Sequence, residues 1–164
     1  MIPVEEETRR QDALRKALEW AHVVVWQASR LHDAESTAFA SNERVRRGAT
    51  YTHDHSRPFF ELRAEKHFLL IAARQLFRAL KIYGDRKKIP APRHDPQVMV
   101  ALRNALEHWD GAAPESFQTR IGTRADAHQW GAGGTLLAGV LEVDELAAWA
   151  AEIEAYLLEV SGQS

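Results

Sequence analysis

The sequence contains no cysteine. That absence excludes three classes at once: domains held together by disulfides, zinc sites built from thiolates, and enzymes with a cysteine nucleophile. A phosphate-binding loop is also lacking, because Gly131–Gly134 is not followed by the required lysine and serine or threonine. No serine lies in a Gly-X-Ser-X-Gly elbow. Nucleotide-driven enzymes and hydrolases of the serine-elbow class are therefore not expected, and no cofactor is implied.

Long apolar runs are missing as well. The longest, such as Phe68 to Ala73, extend over about six residues, whereas a membrane-spanning helix needs roughly 20. Residues 1–11 include three consecutive glutamates and no apolar run, which is unlike a secretory signal. The sequence thus predicts a soluble, cytoplasmic protein with no membrane partner.

Length and composition predict one domain over residues 1–164. A chain of this size buries roughly two-thirds of its unfolded surface, and its hydrophobic fraction of 45% is sufficient for a continuous core. The net charge of −2 is near zero, but a local basic cluster can still hold phosphates. Two solvated helix faces of opposite sign would explain the same pattern. The basic stretch contains Arg74, Arg78, Lys81, Arg86, Lys87, Lys88 and Arg93, and the acidic stretch contains Glu142, Asp144, Glu145, Glu152, Glu154 and Glu159.

Apolar residues recur at helical spacing in four segments. The first helix is predicted to begin near Glu5 and to continue to a stop near Gly48. The second, the most apolar, is predicted to begin at Pro58 after a loop from Thr50, with Ser56 as its cap, and to stop at Gly84. The predicted buried stripe of the first helix is Leu14, Leu18, Ala21, Val25 and Ala28.

Asp95 and Pro96 predict the cap and first residue of a third helix that runs to about Asp110. Its predicted buried positions include Val98 and Leu102. A last helix is predicted from a cap at Asp144 to a stop near Ser161 and Gly162. Between these helices, a glycine-rich turn beside short apolar runs predicts a small β-hairpin within residues 112–143. The sequence therefore predicts an all-α protein, an up-and-down antiparallel bundle of four to five helices with a hairpin before the last.

Polar side chains are concentrated in the third helix. On a helical wheel of about 100° per residue, Asn104 and His108 share one flank because they are four residues apart. Arg103 lies about 140° from His108, on the opposite flank with Asp110. Glu107 lies between the two flanks.

Such groups can cleave RNA without a metal ion. A base must take the proton of the 2′-hydroxyl, an acid must protonate the leaving 5′-oxygen, and a cation must stabilise the phosphorane. Histidine performs either proton transfer near neutral pH, and arginine holds phosphate oxygens with two parallel donors. Because one helix supplies only one histidine, two copies meeting across a twofold axis would complete the set.

At Arg103, Asn104 and His108 the sequence resembles the HEPN superfamily. The motif of that family is an arginine, a short spacer and a histidine, often with asparagine directly after the arginine. The resemblance implies a helical bundle that forms a homodimer through its motif helices and cleaves RNA, such as tRNA or mRNA, without metal. It also implies a role as a toxin or in phage defence, with an antitoxin protein as a further partner. Glu107 and Asp110 would then support the charge of His108.

One position departs from part of that family. Some members carry a tyrosine two residues after the histidine, which a partner nucleotidyltransferase modifies. Asp110 occupies that position here, so control by that route is not expected.

Two other interpretations of the motif stay open. Arg103 and Glu107 are four residues apart, and an exposed ion pair between them would be worth a few tenths of a kcal/mol, with His108 as a surface histidine. Alternatively, a bundle of this type uses the motif for dimerisation, or for binding RNA or a partner, without turnover. Binding without product release would identify that alternative.

Histidines elsewhere in the chain suggest a third hypothesis, metal binding. His53 and His55 form a His-X-His string that can bind zinc or nickel, and a further ligand would have to come from His22, His32, His67 or His94. No established ligand spacing is present, and a histidine-rich segment before a helix can instead cap it. In a dimer, Glu65 or His67 would be able to approach the motif helix.

Overall fold

The structure, a computed structural model, describes residues 4–84, 88–107, 136–137 and 141–162, and the side chains of all of these except 103–107 and 136–137. Helices dominate it, and the predicted all-α bundle is confirmed. None of the helices in the described ranges is long and apolar enough to cross a membrane. The elements are α1 (Val4–Arg46), α2 (His53–Tyr83), α3 (Pro96–Glu107), β1 (Leu136–Leu137), β2 (Leu141–Glu142) and α4 (Val143–Ser161).

Helices α1 and α2 are antiparallel. The hydroxyl of Ser41 donates to the carbonyl of His55 near one end of the pair, and the guanidinium of Arg10 lies 5.1 Å from the ring centre of Tyr83 near the other. Residue numbers rise along α1 while they fall along α2, which fixes the direction.

Helix α4 is antiparallel to α1 by the same criterion. His22 lies 3.0 Å from Glu154, and His32 lies 2.8 Å from Asp144. The bundle thus has the predicted up-and-down arrangement, with α1 contacting both α2 and α4.

The two ends of α1 agree with the prediction, but its buried stripe is shifted. Gly48 has a φ of 99°, and its N–H donates to the carbonyl of Val45, which ends the helix where expected. The predicted Leu14, Leu18 and Val25 are only partly buried. The centre of the contact is formed mostly by small side chains one position away, because alanines let another helix approach closely. The buried positions in this part of the stripe include Ala13, Ala17, Ala21, Val24, Ala28 and Leu31.

The start of α2 differs from the prediction. The helix begins at His53 with Thr52 as its N-cap, and Pro58 lies inside it. The N–H of Thr52 donates to Nδ1 of His55 over 3.1 Å, and this bond holds the first turn in place. Ser56, the predicted cap, instead donates its hydroxyl to the carbonyl of His53. The C-terminal end is as predicted, since Gly84 has a φ of 85° and bonds to the carbonyl of Leu80.

All four helices contribute to one hydrophobic core, and its aromatic part lies where α2, α4 and the segment before α3 meet. The rings of Phe77 and Trp149 stack at 4.7 Å between centroids, and the indole N–H of Trp149 donates to the carbonyl of Pro90 over 3.0 Å. Burying an aromatic ring of this size is a large stabilising term, and its polar N–H has the partner it needs. The other large, fully buried side chains are Leu31, Leu69, Leu70, Leu76, Met99, Leu102, Leu141, Leu146 and Ile153.

A short hairpin precedes α4, as predicted, but not with the predicted turn. The two strands pair antiparallel, with Leu136 opposite Glu142 and Leu137 opposite Leu141. Both strands follow Gly131–Gly134 in the chain, so the glycine run does not connect them. Helix α4 begins at Val143 rather than after a cap at Asp144, and its N-cap is Glu142. Its end at Gly162, with a φ of 69°, is as predicted.

Candidate functional site

Helix α3, which carries the predicted motif, begins at a defined cap. Oδ1 of Asp95 accepts a hydrogen bond of 2.9 Å from the N–H of Gln97, and proline suits the first helical position because its missing N–H would be unpaired there anyway. Met99 and Leu102 are each 1% exposed, and the helix contacts α2. The start of α3 is therefore fixed to the bundle by burial of one face. Of the predicted stripe, Leu102 is confirmed as buried, while Met99 was not predicted.

The segment before α3 is also fixed. Besides the bond from Trp149 to Pro90, a guanidinium nitrogen of Arg93 lies 2.7 Å from a carboxylate oxygen of Glu152 on α4. Prolines at 90 and 92 restrict this segment further. The first turn of α3 thus has a defined position relative to α2 and α4.

The predicted catalytic residues fall at the end of α3 and beyond it. Arg103, Asn104 and Glu107 belong to the helix, whose last described residue is Glu107, so they share one continuous helical backbone directly after the buried Leu102. Their side chains are outside the description. The predicted positions of His108 and Asp110, and the predicted helix end near Asp110, lie outside the described residues.

The His53 and His55 pair is used locally at the start of α2. Nδ1 of His55 accepts from the N–H of Thr52 and lies 2.8 Å from the Thr52 hydroxyl. Across the ranges that the structure describes, no three histidine, aspartate or glutamate side chains come together as metal ligands. The side chain of His55 therefore acts in capping, which is the alternative that the sequence left open.

Glu65 and His67 take different positions on α2. The carboxylate of Glu65 is bound by α1, where Arg30 reaches it through two nitrogens and the amide of Gln27 donates to it as well. The hydrogen bonding of Arg30 to Glu65, together with the negative charge of Glu65, raises the pKa of Arg30 above its ordinary value. His67 is half-buried and lies beside the ring of Phe68. Glu65 is thus part of the α1–α2 interface.

Lys66 is a buried cation next to this interface. Lys66 is only 4% exposed to solvent. Burial lowers the pKa of its ammonium below the ordinary 10.5, while the charge of Glu35 acts in the opposite direction. Buried lysines of this kind also occur in active sites, but Lys66 directly follows Glu65 at the interface of α1 and α2 and is influenced by the charge of Glu35 on α1, so we assign it a structural position.

A basic groove lies between the N-terminal part of α1 and the C-terminal part of α2. It consists of two adjoining hollows of about 860 and 440 Å³ that share Arg9, Arg78 and Ile82 in their walls. Trp20 of α1 closes one end, and Gly84 lies at the other. The cations that line the groove are Arg9, Arg10, Lys16, Arg78 and Lys81, and the anions are Glu6 and Asp12.

The acidic stretch of the sequence lies in and next to α4. Three histidines and an arginine outside α4 approach four of its carboxylates. The pairs are His22 with Glu154, His32 with Asp144, His94 with Glu145 at 3.4 Å, and Arg93 with Glu152. Four of the six acidic side chains of this stretch therefore have a basic neighbour within the fold, although Asp144 and Glu152 stay exposed to solvent.

Sequence reasoning found only half of the basic groove. Arg78 and Lys81 belong to the predicted basic stretch, but the contributions of α1 were missed. Arg9 and Lys16 follow three glutamates, so the local charge of that segment is mixed. Their separation of seven residues places them on one face of the helix, beside the alanine stripe, and that spacing is the signal that would have found them.

Comparison with known proteins gives no relative on which a family could be assigned: no family model matches the chain, and neither a curated protein nor a solved structure matches it significantly.

Proposed function

We propose that the protein is a metal-independent endoribonuclease of the HEPN type, in which Arg103, Asn104 and His108 form the catalytic set. The observation that carries this proposal is the continuation of α3 as regular helix through positions 103 and 104 to Glu107, immediately after Leu102, which is 1% exposed. Groups that act together on one phosphate need a rigid support. A helix anchored by burial at one end supplies that support.

The proposed chemistry is transesterification. The 2′-oxygen attacks phosphorus, the bond from phosphorus to the 5′-oxygen breaks, and a 2′,3′-cyclic phosphate and a 5′-hydroxyl remain. One histidine takes the 2′-hydroxyl proton and a second gives a proton to the 5′-oxygen. Arg103 neutralises the phosphorane, Asn104 orients His108, and Glu107 and Asp110 favour its charged form.

The need for two histidines implies two chains. Each chain supplies one His108, so the proposed active site is composed across the twofold axis of a homodimer, where both motif helices meet. In this proposal the protein acts in the cytoplasm on tRNA or mRNA, as a toxin or a phage-defence component, and an antitoxin protein holds it inactive.

A second candidate is a binding module without turnover. It is favoured by the basic groove, which residues of α1 and α2 line with groups suited to phosphates. In that case the protein binds RNA or a partner, releases no product and is not toxic when expressed.

A nuclease assay decides between the two. Purified protein is incubated with tRNA and with total RNA in excess chelator, beside His108→Ala and a matched control, His53→Ala, which removes an exposed histidine from the start of α2. The endoribonuclease proposal predicts chelator-resistant products with cyclic phosphate ends, unchanged in the control and lost in His108→Ala.

Two results would count against it. Cleavage that persists in His108→Ala would remove the histidine from the mechanism. A folded, dimeric protein that cleaves neither substrate would favour the binding module, which a gel-shift measurement on the same RNA then tests.

A further inference from the structure

The basic groove contains cations that the fold does not use. Arg9, Lys16, Arg78 and Lys81 line it, and none of them forms a hydrogen bond or ion pair with another residue in the described ranges. Arg10 is held over the ring of Tyr83. Because cations of two helices line one groove, the local potential favours an anion from outside.

The acidic residues of the groove do not neutralise it. Asp12 is already bound by Arg15, with 2.9 Å between the guanidinium and the carboxylate. Glu6 remains as the second carboxylate in the wall. Since the carboxylates of α4 pair with His22, His32, His94 and Arg93 instead, the positive charge of the groove persists in the described fold.

The length of the groove and the presence of Trp20 in its wall indicate which class of anion it binds. The part of α1 from Arg9 to Trp20 covers about 16 Å at 1.5 Å per residue, a length that fits about five stacked nucleotides at 3.4 Å each. Trp20 is half-buried at the end of the groove, and an indole face beside a row of cations is the combination that binds single strands. A membrane-binding surface would need several exposed apolar side chains, whereas Ile82 is the one large exposed apolar residue among those that line the groove.

We propose that the basic groove of α1 and α2 binds single-stranded RNA, with its cations on the phosphates and a base stacked on Trp20. The choice of RNA rests on the proposed function, while the binding itself does not depend on catalysis by α3. Since α1 and α2 line the groove, binding and cleavage would be carried by different elements.

The test measures binding in the absence of cleavage. His108→Ala protein is titrated with a fluorescently labelled oligouridine of twelve nucleotides at several salt concentrations in excess chelator. The groove variant carries Arg9→Gln and Arg78→Gln. The matched control carries Arg44→Gln and Arg63→Gln, which remove the same charge from exposed positions elsewhere on the same two helices.

We expect the groove variant to bind at least ~10-fold more weakly than the parent, and the slope of log K against log salt to fall by about 1.4, since each phosphate contact contributes roughly 0.7 on a single strand. The control should change affinity by less than about 2-fold. Trp20→Leu should weaken binding ~5-fold or more, through loss of base stacking. Far-UV circular dichroism confirms that each variant is folded.

Equal binding by the groove variant and the control would overturn the groove proposal, even if the protein cleaves RNA at α3. Binding that is lost only in the groove variant, from a protein that cleaves no RNA, would keep the groove and reject the endoribonuclease. Charge-dependent binding to vesicles of anionic lipid, without binding to the oligonucleotide, would also overturn the proposal.

Discussion

Arg30 and Glu65 form a two-point ion pair across the interface of α1 and α2, with 2.6 Å from Nη2 to Oε1 and 3.2 Å from Nε to Oε2. The guanidinium also lies 5.0 Å from the ring centre of Trp26. The amide of the buried Gln27 donates to the same carboxylate, so Glu65 is the common acceptor of two side chains of α1.

Replacing Glu65 with alanine should therefore destabilise the protein by about 1–3 kcal/mol, because the buried amide of Gln27 loses its side-chain acceptor and keeps only the longer bond of 3.4 Å to the backbone carbonyl of residue 65. Chemical denaturation measures the change. The matched control is Glu61→Ala, which removes a pair with Arg57 at the surface of the same helix and should cost under ~1 kcal/mol. Equal effects of the two substitutions would contradict the assigned importance of the buried acceptor.

The buried Lys66 should make stability depend on alkaline pH. Burial lowers its pKa, so the folded state releases the proton before the unfolded state does. The cost of burying the charge is complete below the folded pKa and disappears as pH rises towards 10.5. Lys66→Met should therefore gain stability relative to the parent at pH 7, and the gain should shrink by pH 10.5.

Denaturation of both proteins across this pH range gives the difference directly. Arg63→Met, an exposed change on the same helix, should alter stability by less than ~0.5 kcal/mol. A Lys66→Met variant that is less stable at every pH would show that the contacts of the ammonium outweigh the cost of its burial.

The apolar periodicity of the sequence was sufficient to predict the helices of the bundle. The glycines at 48, 84 and 162 were sufficient to predict three helix ends, because each adopts a left-handed conformation there. It was not sufficient to find the buried face of α1. A leucine beside an alanine suggests that the leucine is the core residue, yet Ala13 is 5% exposed while its neighbour Leu14 is only partly buried. How closely two helices approach is a property of the pair and cannot be seen in one of them.

The sequence was likewise sufficient to predict one part of the candidate site and not the other. The motif of α3 depends on residues close together in the chain, so a single sequence suffices to propose it. The basic groove depends on Arg9 and Arg78, which are far apart in the chain and adjacent only after α1 and α2 pair. The contacts of the acidic stretch with basic side chains, such as that of His32 with Asp144, also join residues that are far apart in the chain.

Trp149 connects the stability of the core to the position of α3. Trp149→Phe keeps an aromatic ring for stacking on Phe77 but removes the donor to the carbonyl of Pro90. The loss of that bond should cost about 0.5–1.5 kcal/mol and loosen the segment before α3. Trp26→Phe, at a residue that is 54% exposed, is the matched control and should cost less.

If the endoribonuclease proposal holds, Trp149→Phe should also lower the rate of RNA cleavage under conditions in which the protein is fully folded. A cleavage rate that stays unchanged while the stability falls would show that the bond from Trp149 to Pro90 stabilises the core without positioning α3 for catalysis.

Asn104 is expected to position His108 rather than to carry a proton itself. His108→Ala should lower the rate of cleavage by about 10²–10⁴-fold, which is the usual contribution of one acid or base. Asn104→Ala should have a smaller effect and should also shift the pH profile of kcat, because a histidine without its orienting partner titrates differently. Asn104→Asp changes the charge at the same position, so its profile should move in the direction that favours protonated histidine.

The measurement is single-turnover cleavage across pH 5–9 in excess chelator. A purely structural role of Asn104 would lower the amount of active protein and leave the shape of the profile unchanged, and that result would remove Asn104 from the catalytic set.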